Sequence, residues 1–375
     1  MWETVRLGDV CELAYGKALP NSERLEAGEF PAFGANGIKT YAKRPLFSGP
    51  SIIIGRKGSA GQITKVAQPF WPLDVTYYTK IDASRILLEF LYYTLSVLDL
   101  PSMARGVKPG INRNDLYSIN ISLPPLAEQK RIVERLDKAF AEIDKAINLS
   151  KHQEEMLLKL AFSALASFYD CTDKDLIKPL RAIASINGGK RLPKGKSLVK
   201  ENTGYPYIRV SDFNNDGTIN LHLVQFIEPD VQRSISKYTI SSKDIYISIA
   251  GTIGKTGVVP ESLDGANLTE NAAKLALYED VERDFVYFFT KTFCFQQQAI
   301  LQTRKTAQPK LSLERLGAVR IPIFGLDKQH EIISRARGVM GLVEQAKDNR
   351  RCKEAKFIAL KAAILRQELT PSEAV

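Results

Sequence analysis

Few side chains in this sequence are spaced to do chemistry. The three histidines, His152, His222 and His330, lie far from one another and from every cysteine. Cys11, Cys171, Cys294 and Cys352 form no CxxC pair, so neither a disulfide framework nor a zinc site is expected. Gly251-Thr-Ile-Gly254-Lys255-Thr256 imitates the end of a phosphate-binding loop. However, Ile249 stands where the pattern needs its first glycine, and Gly257-Val-Val-Pro260 does not open a helix. Leu123-Pro-Pro-Leu126 lacks the polar and aromatic flanks with which an amino-methyltransferase loop holds a flipped base. Pro229-Asp230 is followed by no Asp/Glu-x-Lys to complete a nuclease metal site, and Asp74 and Asp212 read as local caps. Catalytic and metal-ligating residues are therefore expected to be none.

The remaining candidates are cations in glycine-rich loops: Lys17, Lys43 and Arg44, Arg56 and Lys57 with Ser59, Arg105 and Lys108, Lys190 and Arg191 with Lys194 and Lys196, Arg209, Thr252 with Lys255, and Arg304 with Lys305. Such loops suit phosphate contacts combined with base-edge readout, so DNA binding is the expectation at these positions. The charge distribution agrees. Residues 1–125 hold 14 basic and 11 acidic side chains, and residues 171–325 hold 21 and 16, whereas residues 126–170 hold 7 and 8.

The loops belong to a chain written twice. Ile111–Ile132 matches Leu311–Ile332 at an offset of 200, and Leu7–Leu19 matches Leu180–Leu192 at 173. Between them, Ile54–Gly61 is placed on Ala250–Gly257. The second copy then carries roughly 27 extra residues in its middle, and missing such a repeat would mis-assign the fold. Each copy has two parts. Residues 1–125 and 171–325 mix short β-branched runs, such as Ser51-Ile-Ile-Ile54 and Ile245-Tyr-Ile-Ser-Ile249, with turn signals such as Asn36-Gly37. Residues 126–170 and 326–375 carry apolar residues at helical spacing after a proline: Ile132, Leu136, Ile143, Leu157, Leu160, Ala164 and Phe168, then Ile332, Val343, Phe357, Leu360 and Ile364. A helix of this length, about 65 Å, with one apolar stripe needs a partner, and the other copy's helix is the obvious one. The expected fold is α+β: two similar mixed α/β globules separated by two long antiparallel, coiled-coil-like helices in a pseudo-two-fold repeat. Polar stretches at 148–155 and 347–354 leave a bend there open.

The whole chain has 375 residues, a net charge of +10, and 44% hydrophobic and 25% charged residues, ordinary values for a folded protein of two or three domains. No apolar run approaches the ~20 residues of a membrane span. Met1-Trp2-Glu3-Thr4 begins no secretory signal, and the isolated cysteines fit a reducing cytoplasm.

Taken as a set, these features resemble the specificity subunit of type I restriction–modification systems over essentially the full length. Leu116–Gln129 fits the family's Leu-x-x-Ile-x-Ile-(Ser/Pro)-Leu-Pro-Pro-Leu-x-Glu-Gln-like segment closely. Leu316–Gln329 fits it loosely, with Phe324-Gly325 for Pro-Pro and Lys328 for Glu128. Tyr205–Asp212 and Phe30–Gly37 match further segments. The resemblance implies a non-catalytic chain with two target recognition domains, each reading half of a split duplex DNA sequence. It implies helices that act as a spacer and dock two modification subunits, which bring S-adenosylmethionine to methylate adenine. Restriction subunits would bring ATP- and Mg-dependent translocation, and this chain itself would bind no cofactor. The alternative is a coiled-coil scaffold that binds partner proteins and reads no DNA.

Overall fold

The computed structural model describes residues 2–303 and 309–370. It divides into two compact units, Met1–Ser150 with Arg351–Val375, and Lys151–Arg350. Each unit therefore holds one globule, part of one long helix and part of the other.

In the first unit, alternating apolar residues build a four-stranded antiparallel sheet. Its order is Cys11–Tyr15, Thr76–Ile81, Ser51–Gly55, Ile63–Val66. Ser51–Gly55 is buried throughout, as a central strand covered on both faces must be. A second sheet is ordered Arg24–Leu25, Gly37–Ala42, Phe30–Gly34, Trp71–Pro72, with the last pair parallel. Glu3–Arg6 pairs with Asn120–Leu123 and closes the globule. The main core joins Leu13, Ile52, Ile54 and Tyr77 to Phe90 and Leu91 of the helix Leu88–Ser96.

The second unit repeats this plan. Its antiparallel sheet is ordered Ala184–Gly188, Ala272–Leu277, Ile245–Ser248, Thr256–Val258. Its second sheet again has a parallel pair, Pro206–Ile208 with Ala266–Leu268. Ile177–Pro179 pairs with Arg320–Pro322. Gly16 and Gly189 fix one point of equivalence. Their amides donate to Thr76 and Ala272, both at 3.0 Å, and a Cβ on either would meet backbone carbonyl oxygens at 2.0 and 2.2 Å.

The middle of the repeat needs a correction. Gly55 N–H donates to Gln62 and Gly61 N–H to Gly55, just as Ser248 N–H donates to Lys255 and Gly254 N–H to Ser248. Gly58 and Gly251 both take positive φ, 77° and 74°, and so do Gly61 and Gly254, 82° and 87°. Gly58 thus corresponds to Gly251, an offset of 193, rather than to Gly254. Both segments carry glycine every third residue, so two frames fit the letters and only the hydrogen bonds decide between them. The offset reaches 193 by this loop, so most of the insertion precedes it. The short helix Pro229–Ser234 and the strand Thr239–Ile240 lie in that stretch.

The long helices run Leu126–Ser167 and Leu326–Leu369, without interruption at 148–155 or 347–354. Inside the first unit they pair antiparallel: Arg135 meets Glu368 at 2.5 Å, and Lys361 meets Asp144 at 2.7 Å and lies over Phe140. Inside the second, Glu154 meets Arg350, and Arg335 lies 4.1 Å over the Phe168 ring, again in antiparallel sense. Ile132, Leu136, Ile143, Ile332 and Val343 are buried as the stripe predicts. Leu160 and Leu360 are not, at 66% and 46% exposure; Ala161 and Leu165 take the buried positions instead. Leu157-Leu158-Lys159-Leu160-Ala161 offers apolar residues on adjacent rows, so periodicity alone does not choose the face.

Both helix starts are locked to their globules by a buried glutamine. Gln129 accepts from Leu87 N–H at 2.8 Å and donates to the carbonyls of Arg85 and Pro124, each at 2.8 Å. Gln329 accepts from Glu282 N–H at 2.9 Å and donates to Asp280 and Phe324 at 3.1 and 2.8 Å.

Candidate nucleic-acid interface

In the first globule, strand Ser51–Gly55 delivers Arg56 and Lys57 into the glycine loop. Backbone bridging joins Lys57 and Arg105 to the same residue, Gly110. That gathers Arg56, Lys57 and Arg105 around one turn, with Lys108 exposed on it. Ser59 is half-buried in the loop, and its carbonyl accepts from Gln62 N–H. Arg113 arrives in the same place as the first residue of the helix Arg113–Tyr117. Arg56 and Arg113 lie over the ring of Tyr15 at 5.3 and 4.9 Å. Among the described residues, none of Arg56, Lys57, Arg105, Lys108 and Arg113 has a carboxylate within 4.0 Å. Uncompensated like charges on one turn are a standing attraction for an anionic ligand.

In the second globule, Arg191, Thr252 and Lys255 line one open groove of about 820 Å³ together with Asn271 and Lys310; Glu270 also lines it and holds Arg191 at 2.7 Å. Lys255 Nζ lies 3.4 Å from the Phe213 carbonyl, which it reaches as a donor. A strand, Thr256–Val258, follows Lys255, so the loop has no helix N-terminus for a nucleotide phosphate. Thr252 is the structural counterpart of Ser59.

Other expected contacts sit elsewhere. Lys17 and Lys190 are equivalent and exposed, their backbone amides donating to Pro72 and Leu268; Lys190 lies over Tyr238. Lys194 is exposed, and Lys196 pairs with Asp230 at 2.5 Å. Lys43 and Arg44 are tied to Glu23, the first by its backbone and the second by a 3.6 Å ion pair. The Arg209 guanidinium bonds the buried Asp212, Gln225 and the Leu223 carbonyl, which occupies four of its five N–H groups. Asp212 caps the Arg209 amide at 2.8 Å. Arg304 and Lys305 lie outside the described residues. Arg113 and Lys310 were missing from the sequence expectation. Arg113 stands inside the repeated Ile111–Ile132 segment, but its counterpart is Leu313, so comparing the copies hides it.

Among the described residues no group of three or more His, Cys, Asp or Glu could hold a metal ion, and no helix is long and apolar enough to cross a membrane. Residues 1–150 and 177–336 each match the family model described as the type I restriction modification DNA specificity domain. The chain belongs to this family. As a specificity subunit it carries two recognition domains, and this favours the main reading over a scaffold that reads no DNA. It is 24% identical over 312 residues to the EcoBI type I restriction enzyme specificity subunit of Escherichia coli, covering 76% of this chain and 65% of that one. The chain thus spans just under two thirds of that relative's length. It is 23% identical over 397 residues to the MjaVIII specificity subunit of Methanocaldococcus jannaschii, covering 95% and 90%. A solved chain, from work described as the structural basis of complex assembly and conformational transition of the type I R-M system, has a TM-score of 0.63. It is 20% identical, with 98% and 97% coverage, and shares the fold of this specificity subunit.

Proposed function

We propose that this chain reads a bipartite duplex DNA target, each globule taking one half-site, and carries no catalytic group of its own. The observation that carries the reading is the pairing of one strand order with cation-bearing glycine loops in both globules: Arg56, Lys57, Arg105 and Lys108 in the first, Arg191, Lys255 and Lys310 in the second. Exposed Lys17, Lys190 and Lys194 serve as phosphate contacts, Ser59 and Thr252 as base-edge or phosphate donors, Lys43 and Arg44 as outlying phosphate contacts, and Arg304 and Lys305 as further phosphate contacts. Arg209 acts by positioning its loop. The segments 1–125 and 171–325 are the recognition domains, and 126–170 and 326–375 form the spacer that sets the gap between half-sites. The chain works in the cytoplasm with two modification subunits and with restriction subunits. S-adenosylmethionine, ATP and Mg belong to those partners.

The test is binding to duplex DNA across ionic strength. Alanine at Lys190, Arg191, Lys255 and Lys310 should weaken binding and flatten the salt slope by roughly one for each phosphate that is no longer neutralised. Unchanged affinity in this variant would assign the groove another role. Wild-type binding that ignores salt would favour the protein-binding scaffold.

A further inference from the structure

Because the main antiparallel sheets of the two globules share one strand order, each globule serves as a control for the other. At one equivalent place they differ sharply in chemistry. In the first globule, Arg56 and Arg113 both stack on Tyr15, and Arg113 also lies 5.7 Å over Tyr117. Tyr15 is 46% exposed and is backed edge-on by Tyr77 at 5.1 Å, whose hydroxyl donates to the Ile111 carbonyl. The Nε atoms of Arg56 and of Arg113 are both buried with no hydrogen-bond partner. Neither guanidinium has a carboxylate within 4.0 Å among the described residues.

The offsets that superpose the two folds place Gly188 at Tyr15, Ile249 at Arg56 and Leu313 at Arg113. These three are uncharged, and a Cβ on Gly188 would meet Leu313 Cδ1 at 3.5 Å, an ordinary packing distance. The fold therefore forms without a cation at this place. Two like charges gathered on one ring, each with a buried unpaired donor, carry a cost that the cation–π contacts with Tyr15 and Tyr117 offset only in part. Such a cost points to an anion supplied from outside.

We propose that Arg56 and Arg113, held on Tyr15, form a subsite for a single phosphate group of duplex DNA. The proposal rests on the DNA-reading function above and adds Arg113 to it. A guanine edge offers O6 and N7 to one guanidinium fork. A phosphodiester offers two non-bridging oxygens with several lone pairs and takes two forks at once. Two guanidiniums on one ring match the phosphate. The second globule, with Gly188, Ile249 and Leu313 here, grips its half-site through the groove of Arg191, Lys255 and Lys310 instead.

The test uses the full chain with Arg56→Gln, Arg113→Gln, the double variant and Arg113→Lys. Each is titrated with a randomised duplex pool across salt, and the bound pool is sequenced. Either single glutamine variant should weaken binding to all sequences alike, about tenfold, and lower the salt slope by well under the ~0.9 of one phosphate, because the remaining arginine still faces it. The double variant should lower the slope by about 0.9 in all, the value for one phosphate and not two, because both arginines serve one phosphate. Arg113→Lys should keep most of the slope and lose affinity, since lysine keeps the charge but lacks the fork. Thermal melting of the glutamine variants should be unchanged or higher. Unaltered affinity and slope beside a binding wild type would overturn the subsite alone. A preference relaxed at one base position would overturn the phosphate assignment in favour of a guanine reader. A wild type that binds no duplex would overturn this subsite and the DNA-reading function together.

Discussion

Lys291 shows how a single residue can carry a measurable cost. It donates from Nζ to the Thr256 carbonyl at 2.6 Å, lies 4.8 Å over the Tyr287 ring, and burial pushes its pKa down to about 8, against a smaller opposing pull from Asp216. In the unfolded chain an ordinary lysine titrates at 10.5. Between pH 8 and 10.5 the unfolded state therefore binds more protons, so this group makes stability rise with pH across that window, and below it the penalty is constant. Burial pushes the Cys11 thiol the other way, up to about 12, so stability from that group falls as pH rises above 9. The clean measurement is thus the difference between wild type and Lys291→Met. The stability gap in favour of the variant should be on the order of 2 kcal/mol at pH 7 and should shrink as pH climbs from 8 to 10.5. A gap independent of pH would show that Lys291 is not a buried ammonium. None of this was legible in the sequence, where Lys291 is one lysine among many; its burial follows from helix Arg283–Thr290 packing beside strand Thr256–Val258.

Among the elements, the helix starts are the most exacting. Gln129 is fully buried and satisfies three backbone groups, from Arg85, Leu87 and Pro124. Gln129→Leu keeps the volume but orphans an N–H and two carbonyls, and should cost on the order of 3 kcal/mol in chemical denaturation. Gln329→Leu should behave alike in the second unit, and a loss under about 0.5 kcal/mol for both would mean that the locks are ornamental. The glutamines stood in the repeated segment, but a motif letter does not say what it bonds. The strands and the long helices were legible because periodicity reports which face is buried. Frames were not. Glycine at every third position let Gly58 fit either Gly251 or Gly254, and adjacent leucines let Leu160 stand for Ala161. In each case backbone hydrogen bonds or packing made a choice that the letters left open.

For the whole molecule, the duplication was legible because three segments recur in order, and the family match falls on both copies, residues 1–150 and 177–336. What the sequence concealed is the make-up of each compact unit. The first takes in residues 351–375, the second residues 151–350, so each includes part of both long helices. The antiparallel ion pairs Arg135–Glu368 and Asp144–Lys361, over 200 residues apart in sequence, lie beyond any local pattern. Two globules with separate cores and separate cation-bearing loops should read DNA independently. The direct measurement is to exchange residues 171–325 for the equivalent domain of a relative with a different target, and to sequence the methylated sites in a host carrying the complete system. One half of the methylated site should change to the donor's sequence while the other half stays as it was. If both halves change together, or neither does, the two globules are not independent readers of a split target.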